Sequence, residues 1–191
     1  MFHSGARTTT RLAALSIGLL FAANSEAQTK AYVSQAGLLD VLDTATNTMV
    51  RTVPINSGTA SAAISKDGTR AYVSTTPGTI SVIDVFSDTV VNTIPVSAGS
   101  IALTPDGASA YVTNASGVQQ VSLSTSAVVA TIALPAGFAG GTIAITPDGT
   151  RAYVVTSAQP SPVFPSGAIA VVDTATNTII ANLNPGSSST P

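Results

Sequence analysis

Short apolar runs separated by turn-forming residues extend along the chain from residue 31 to residue 184. The runs are about five to seven residues long and rich in Val, Ile, Thr and Tyr, whereas Gly, Pro, Asn, Asp and Ser fill the segments between them. After residue 27, no segment has an apolar stripe of 3.6-residue period long enough for a helix of three turns. The pattern therefore predicts an all-β protein.

An internal repeat organises these runs. An Ala-Tyr-Val segment recurs about every 40 residues, at Tyr32, Tyr72, Tyr111 and Tyr153. Three of the four copies follow an Asp-Gly dipeptide, which is a strong hairpin signal between apolar runs because Gly adopts positive φ without strain. Four short strands in about 40 residues is the spacing of one β-propeller blade. The sequence therefore predicts a β-propeller with four-stranded blade units at about 31–57, 58–97, 98–136 and 137–186.

The first of these units is shorter than the others. It begins with the second run of the repeat, so the sequence predicts three complete blades and a partial first blade without an innermost strand. Residues 184–191 align with the start of a further unit, but serines replace its apolar residues. Such an arc exposes strand edges and an apolar blade face. We expect an incomplete or truncated propeller that self-associates through its unpaired blade edges or derives from a longer, seven-bladed chain.

Residues 1–27 have the features of an export signal. Two arginines and no acidic residue precede an apolar run at 12–23, and small residues stand at the positions that a signal peptidase reads, which predicts cleavage between Ala27 and Gln28. The alternative is a membrane anchor, which needs about 20 apolar residues, more than this run provides. We therefore expect a secreted, periplasmic or cell-surface protein with no membrane span after processing.

Composition restricts the chemistry that the remaining chain can perform. The chain is 8% charged, where about 25% is usual, and it has no Cys. Its one histidine, His3, and its one glutamate, Glu26, leave with the signal, and residues 28–191 then hold five basic residues against eight aspartates. That charge disfavours nucleic acid as a partner. Without His or Cys, catalytic triads, cysteine nucleophiles and the usual zinc or copper ligand sets are excluded, so we predict no enzyme and no catalytic, cofactor-binding or metal residues.

The aspartates and tyrosines have structural interpretations. Hairpin aspartates accept backbone hydrogen bonds, and these are Asp67, Asp106 and Asp148. Aspartates that end the third strand of a unit are expected to cap the following turn, and these are Asp43, Asp84 and Asp173. The tyrosines are expected to pack between blades rather than to form a ligand-stacking ring. A calcium site at turn carbonyls stays open as an alternative, although no Asp-x-Asp-x-Asp-Gly loop is present.

One loop is longer than its counterparts in the other units. It spans residues 156–167, and its three prolines and one phenylalanine replace a connection of about five residues. Lengthened loops on a rigid scaffold often carry binding residues, and the candidates here are Gln159, Pro160, Pro162, Phe164 and Pro165. The alternative, a solvated loop without a role, is equally supported by the sequence.

The repeats resemble the YVTN-type β-propeller repeat family, named for the segment that stands here as Tyr111-Val112-Thr113-Asn114. The Thr-Pro-Asp-Gly hairpins at 104–107 and 146–149 and the Val-Ile-Asp ending at 82–84 are also similar to that family. The resemblance implies an exported protein, usually of seven blades, among relatives that include surface-layer propellers and propeller enzymes of the lactonase and nitrous-oxide-reductase kind.

We therefore expect an exported binding or structural scaffold without catalytic activity, with an unidentified protein or cell-envelope partner. Two alternatives remain open. The first is a lactonase-like propeller enzyme acting on a small sugar acid or lactone. The second is an inactive fragment of a longer propeller.

Overall fold

The computed structural model describes residues 20–22, 30–35, 37–55, 58–75, 78–158 and 168–183. Within these residues every regular element is a β-strand, and the strands form four antiparallel sheets of four strands each. The described part of the chain contains no helix that is long and apolar enough to cross a membrane. The all-β prediction is confirmed. The predicted cleavage site at Ala27 and Gln28 lies outside the described residues.

The sheets follow one another along the chain, and strands that are neighbours in sequence are neighbours in each sheet. Sheet 1 consists of β1 (Leu20–Ala22), β2 (Lys30–Gln35), β3 (Leu38–Asp43) and β4 (Thr48–Pro54). Sheet 2 consists of β5 (Thr59–Ile64), β6 (Arg70–Thr75), β7 (Thr79–Asp84) and β8 (Thr89–Ile94). Sheet 3 consists of β9 (Ile101–Leu103), β10 (Ser109–Asn114), β11 (Gly117–Ser122) and β12 (Ala127–Ala133). Sheet 4 consists of β13 (Phe138–Ile145), β14 (Arg151–Ala158), β15 (Ile169–Asp173) and β16 (Thr178–Leu183).

Equivalent positions in the four sheets have equivalent backbone geometry. The third and fourth strands of every sheet shift register at one point, after Val41, Val82, Gln120 and Val171. The turn between these strands ends in each sheet on a non-glycine residue with φ between 51° and 56°, at Asn47, Asp88, Ser126 and Asn177. A repeated bulge increases the local twist of each sheet. The repeat seen in the sequence is therefore a repeat of backbone structure.

Neighbouring sheets pack face to face because their strands are apolar on both faces. Successive side chains of a strand point to opposite faces. In β6, Val73 packs in a core cluster with sheet 1, whereas Tyr72 packs in a cluster with sheet 3. In β10, Val112 and Tyr111 divide in the same way between sheets 2 and 4. We call the face toward the preceding sheet the leading face and the opposite one the trailing face.

The innermost strand of sheet 1 differs from the sequence prediction. In the full-length chain, Leu20–Ala22 occupies the position that was expected to be empty, and Leu20 pairs with Tyr32. The same register joins Ala63 to Tyr72 in sheet 2, so β1 follows the repeat. The physical reason is that the apolar run of the predicted signal also matches the apolar innermost strands. Cleavage before Gln28 would remove this strand and leave the partial first sheet that the sequence predicted.

Candidate functional site

One side of the row of packed sheets carries regular, short turns and is here called the turn face. It is formed by the hairpins between the first and second strands of sheets 2, 3 and 4 and by the turns between the third and fourth strands of all four sheets. Both kinds of turn line one cleft between sheets 3 and 4, where Asp148 and Gly149 of a hairpin lie with Thr174 and Ala175 of a third-to-fourth-strand turn. The antiparallel order of the strands brings these segments to the same side of the molecule.

The hairpin aspartates of the turn face are held by their own turns. The side chain of Asp67 accepts hydrogen bonds from the Ser65 hydroxyl at 2.6 Å and from the Thr69 amide at 3.0 Å. Asp106 and Asp148 accept equivalent hydrogen bonds from their hairpins. In each case the hydroxyl donor is the largest cause that lowers the pKa of the carboxyl below its ordinary value. These carboxylates are therefore ionised and committed to the hairpin, as the sequence predicted.

The aspartates at the ends of the third strands cap the turns that follow them. Asp84 accepts hydrogen bonds from the amides of Phe86 and Ser87, at 3.0 and 2.8 Å, and pairs with Arg70 of the neighbouring strand. Asp173 accepts the amides of Ala175 and Thr176, and Asp43 accepts those of Ala45 and Thr46. The Ser87 and Thr176 amides are the largest causes that lower the pKa of Asp84 and Asp173. The predicted capping role is confirmed.

Clefts on the turn face lie between neighbouring sheets. The cleft between sheets 3 and 4 has a volume of about 360 Å³ and is lined by Asp106, Ser109, Tyr111 and Arg151 among others. A second cleft between sheets 2 and 3 has a volume of about 510 Å³. The Arg151 guanidinium is paired with Asp173 at 2.7 Å. Each cleft therefore offers hydroxyl groups, and its aspartates and its arginine already have partners in the chain.

Tyrosine hydroxyls connect the trailing faces of sheets 1 and 3 to the turns of the sheets that follow them. The Tyr111 hydroxyl donates to the side-chain oxygen of Asn177 at 2.7 Å, and the Tyr32 hydroxyl donates to Asp88 at 2.9 Å. Burial is the largest cause that raises the pKa of Tyr32 and Tyr111, and neighbouring aspartates add to it. These tyrosines pack between sheets, as predicted, and their hydroxyls are neutral at neutral pH.

A buried ion pair joins sheets 1 and 2 beside the contact between Tyr32 and Asp88. The Lys30 ammonium lies 2.8 Å from a carboxylate oxygen of Asp88 and 3.0 Å from the Val85 carbonyl oxygen, which accepts a hydrogen bond from it. Asp88 thus accepts from both Lys30 and Tyr32. A buried charge pair with additional hydrogen bonds fixes a packing geometry more than it adds stability. This contact links the second strand of sheet 1 to the turn between the third and fourth strands of sheet 2.

Phe86 is an exposed aromatic residue on the turn face that the sequence analysis did not single out. Its side chain is 93% exposed at the tip of the turn between β7 and β8. The equivalent turn residues are small, namely Ala45, Ser124 and Ala175. The large aromatic residue at this repeat position is the sequence feature by which Phe86 could have been recognised. A large aromatic group held on a fixed turn is the type of residue that anchors a partner.

Residues 159–167 of the predicted binding loop lie outside the described residues, whereas residues 156–158 belong to strand β14 instead of the loop. Gln159, Pro160, Pro162, Phe164 and Pro165 are its five candidates, and they stay predictions. Among the residues that the structure describes, no group of three or more His, Asp or Glu residues could hold a metal ion.

Comparisons with known proteins support the fold and do not identify a function. No protein-family model and no curated protein matches the chain. A solved structure of Kuenenia stuttgartiensis hydrazine synthase is similar to it, with a TM-score of 0.76 and 17% identity over 94% of this chain. The chain spans about half of that one, 52% of its length. Since 1028 solved chains match, the likeness identifies a widely used, propeller-like all-β fold and no particular activity.

Proposed function

We propose that the protein is an exported, YVTN-type β-propeller scaffold that acts in the periplasm or at the cell surface by binding a protein or envelope component, without catalytic chemistry of its own. The proposal rests most on the state of the aspartates. All eight aspartates of residues 28–191 accept hydrogen bonds from the chain, and Asp40 does so from the Thr52 hydroxyl at 2.7 Å. A general acid or base needs a group available to substrate with a pKa near neutrality. The five turn aspartates whose pKa values are lowered by their hydrogen bonds do not meet this requirement, and these are Asp67, Asp84, Asp106, Asp148 and Asp173.

The alternative function, lactone hydrolysis, requires the clefts of the turn face to act. The cleft between sheets 3 and 4 contains two carboxylates, Asp106 and Asp148, and hydroxyl groups that could position a sugar-like compound. These carboxylates are the groups that a lactonase-like reaction would use there. The two functions therefore differ in what happens when the carboxylates are neutralised.

A hydrolysis assay with the double variant Asp106→Asn/Asp148→Asn separates the two functions. We expect the unmodified protein to hydrolyse no member of a panel of sugar lactones above the uncatalysed rate, with or without added Ca²⁺. Saturable hydrolysis that the double variant loses while keeping its circular dichroism spectrum would establish the enzyme instead. The single variant Asp67→Asn, at the equivalent hairpin of sheet 2, is the matched control.

A further inference from the structure

Sheet 4 exposes a trailing face that is buried in the other three sheets. Tyr153 is 42% exposed, whereas its counterparts Tyr32, Tyr72 and Tyr111 are 1%, 8% and 0% exposed. Leu183 is 48% exposed, and its counterparts are buried at 1% to 4%, namely Val53, Ile94 and Ile132. Val155 is exposed as well, at 46%. Tyr153, Val155 and Leu183 thus mark an apolar surface whose repeat equivalents each contact a following sheet.

Exposure elsewhere on the outermost strands has a different origin. Ile180, on the same strand as Leu183, is 51% exposed, and its counterparts Val50, Val91 and Val129 are exposed to the same extent in their own sheets. Exposure at the Ile180 position is therefore a property of every sheet. Exposure at the Leu183 position is particular to sheet 4.

Sheet 1 has the complementary uncovered surface on its leading face. Val33 and Leu42 are half-buried there, whereas their counterparts in sheet 2, Val73 and Ile83, are fully buried against sheet 1. Asn47 lies exposed at the end of the β3–β4 turn with φ of 54°. It occupies the repeat position of Asp88 and Asn177, the two residues that accept a tyrosine hydroxyl from the preceding sheet.

We propose that the trailing face of sheet 4 binds the leading face of sheet 1 of a second copy of this chain, with the Tyr153 hydroxyl donating to the Asn47 side chain. The contact continues the one that joins each sheet to the next within the chain. It is a head-to-tail interface, which forms a ring when its rotation closes. Two copies then contribute eight sheets, within the four to eight blades that propellers usually have.

One residue of sheet 4, Val155, departs from the repeat in a way that favours sheet 1 of a second copy as the partner of its trailing face. This step rests on the export proposed above. Ser74 of sheet 2 and Thr113 of sheet 3 occupy the repeat position of Val155. The Ser74 hydroxyl donates to the Gly99 carbonyl oxygen, just before the innermost strand of sheet 3, and the Thr113 hydroxyl donates to the Gly141 carbonyl oxygen, within the innermost strand of sheet 4. Val155 has no hydroxyl to donate. A processed sheet 1 has lost residues 1–27, including its innermost strand, so it offers no such carbonyl.

Light scattering on the purified protein, with its N-terminus established by intact mass, tests the proposal. We expect a discrete species of twice the mass of one chain at about 50 µM. The variant Leu183→Glu is expected to be monomeric because a charge would be desolvated at the interface, and it should weaken association by more than about a hundredfold. The matched variant Ile180→Glu should remain dimeric. Both side chains are already exposed in one copy, so neither substitution should unfold it.

The tyrosine–asparagine contact has its own test in a double-mutant cycle. We expect Tyr153→Phe and Asn47→Gly each to weaken dimerisation about fivefold, and Gly preserves the left-handed turn conformation. Together they should weaken it no more than either alone, because one hydrogen bond is lost in both cases. Additive effects, a Leu183→Glu variant that still dimerises, a continuous series of larger species, or a monomer at 50 µM would each overturn the proposal. Because the N-terminus is measured separately, failed export and failed association are distinguishable.

Discussion

Replacement of Tyr111 by alanine should destabilise the protein far more than replacement of Tyr153, although both residues occupy the same position of the repeat. Tyr111 is fully buried in the core between sheets 3 and 4 and donates to Asn177 and to the Thr174 carbonyl oxygen, at 2.7 and 3.1 Å. Aromatic-to-alanine substitutions in a core cost about 3–5 kcal/mol. Tyr153 is 42% exposed, so less apolar surface returns to water and we expect about 1–2 kcal/mol.

Urea unfolding followed by circular dichroism measures this difference. The experiment is carried out at a concentration where the chain is monomeric, so that loss of a dimer contact does not contribute. We expect the free energies of unfolding of the two variants to differ by at least about 1 kcal/mol, with Tyr111→Ala the less stable. Tyr111→Phe keeps the ring and removes the hydroxyl, and it should cost only about 1 kcal/mol. Equal destabilisation by the two alanine variants would refute the assignment of Tyr153 to an uncovered face.

Three further predictions follow from the packing and the titrating groups. Gly140→Ala should destabilise the protein by about 1–3 kcal/mol in the same urea assay, because its methyl group would lie 2.7 Å from the Thr113 Cβ atom; unchanged stability would contradict the close approach of sheets 3 and 4. Acid should destabilise the protein, because the lowered pKa values of aspartates such as Asp106 give stability that is present above about pH 4 and is lost as the pH falls through the folded-state pKa values. A thermal unfolding midpoint that stays unchanged when the pH is lowered below about 4 would contradict this. Alkali should also destabilise the protein, since the raised pKa values of Tyr32 and Tyr111 give stability that is present below about pH 10 and lost as the pH rises above it; in the variant Tyr153→Phe, which removes the exposed tyrosine, tyrosinate absorbance appearing before the circular dichroism changes would contradict the burial of the remaining tyrosines.

The strand and turn structure was predictable from the sequence because it depends on local residue types. The Asp-Gly hairpins form where the dipeptides stand, and Gly149, for example, has φ of 75°. The capping role of Asp84 follows from its place at the end of a strand, directly before two amides that need acceptors. Such features require no knowledge of what the sheets contact.

The uncovered faces were less accessible to sequence analysis because exposure depends on the neighbouring sheet. Tyr153 and Tyr111 stand in nearly identical segments, and only the presence of a following sheet distinguishes their environments. The number of repeat units predicted an uncovered blade face but not the residues that form it. Phe86 was missed because a single apolar turn residue is ordinary in composition and informative only after the four turns are aligned.

The segment at 20–22 shows how one apolar pattern satisfies two structures. It is part of an apolar run typical of an export signal, and it also pairs with β2 in the register of an innermost strand. Local sequence cannot distinguish these outcomes because both require short apolar residues. The proposed cleavage before Gln28 would remove this strand from the finished protein.

Intact-mass measurement of the protein recovered from outside the cytoplasm of the expressing cell tests the proposed exported scaffold most directly. We expect a single chain beginning at Gln28, with β1 removed and the remaining sheets folded. A full-length chain retained inside the cell, or recovered in the membrane pellet, would contradict the export on which the proposed function rests.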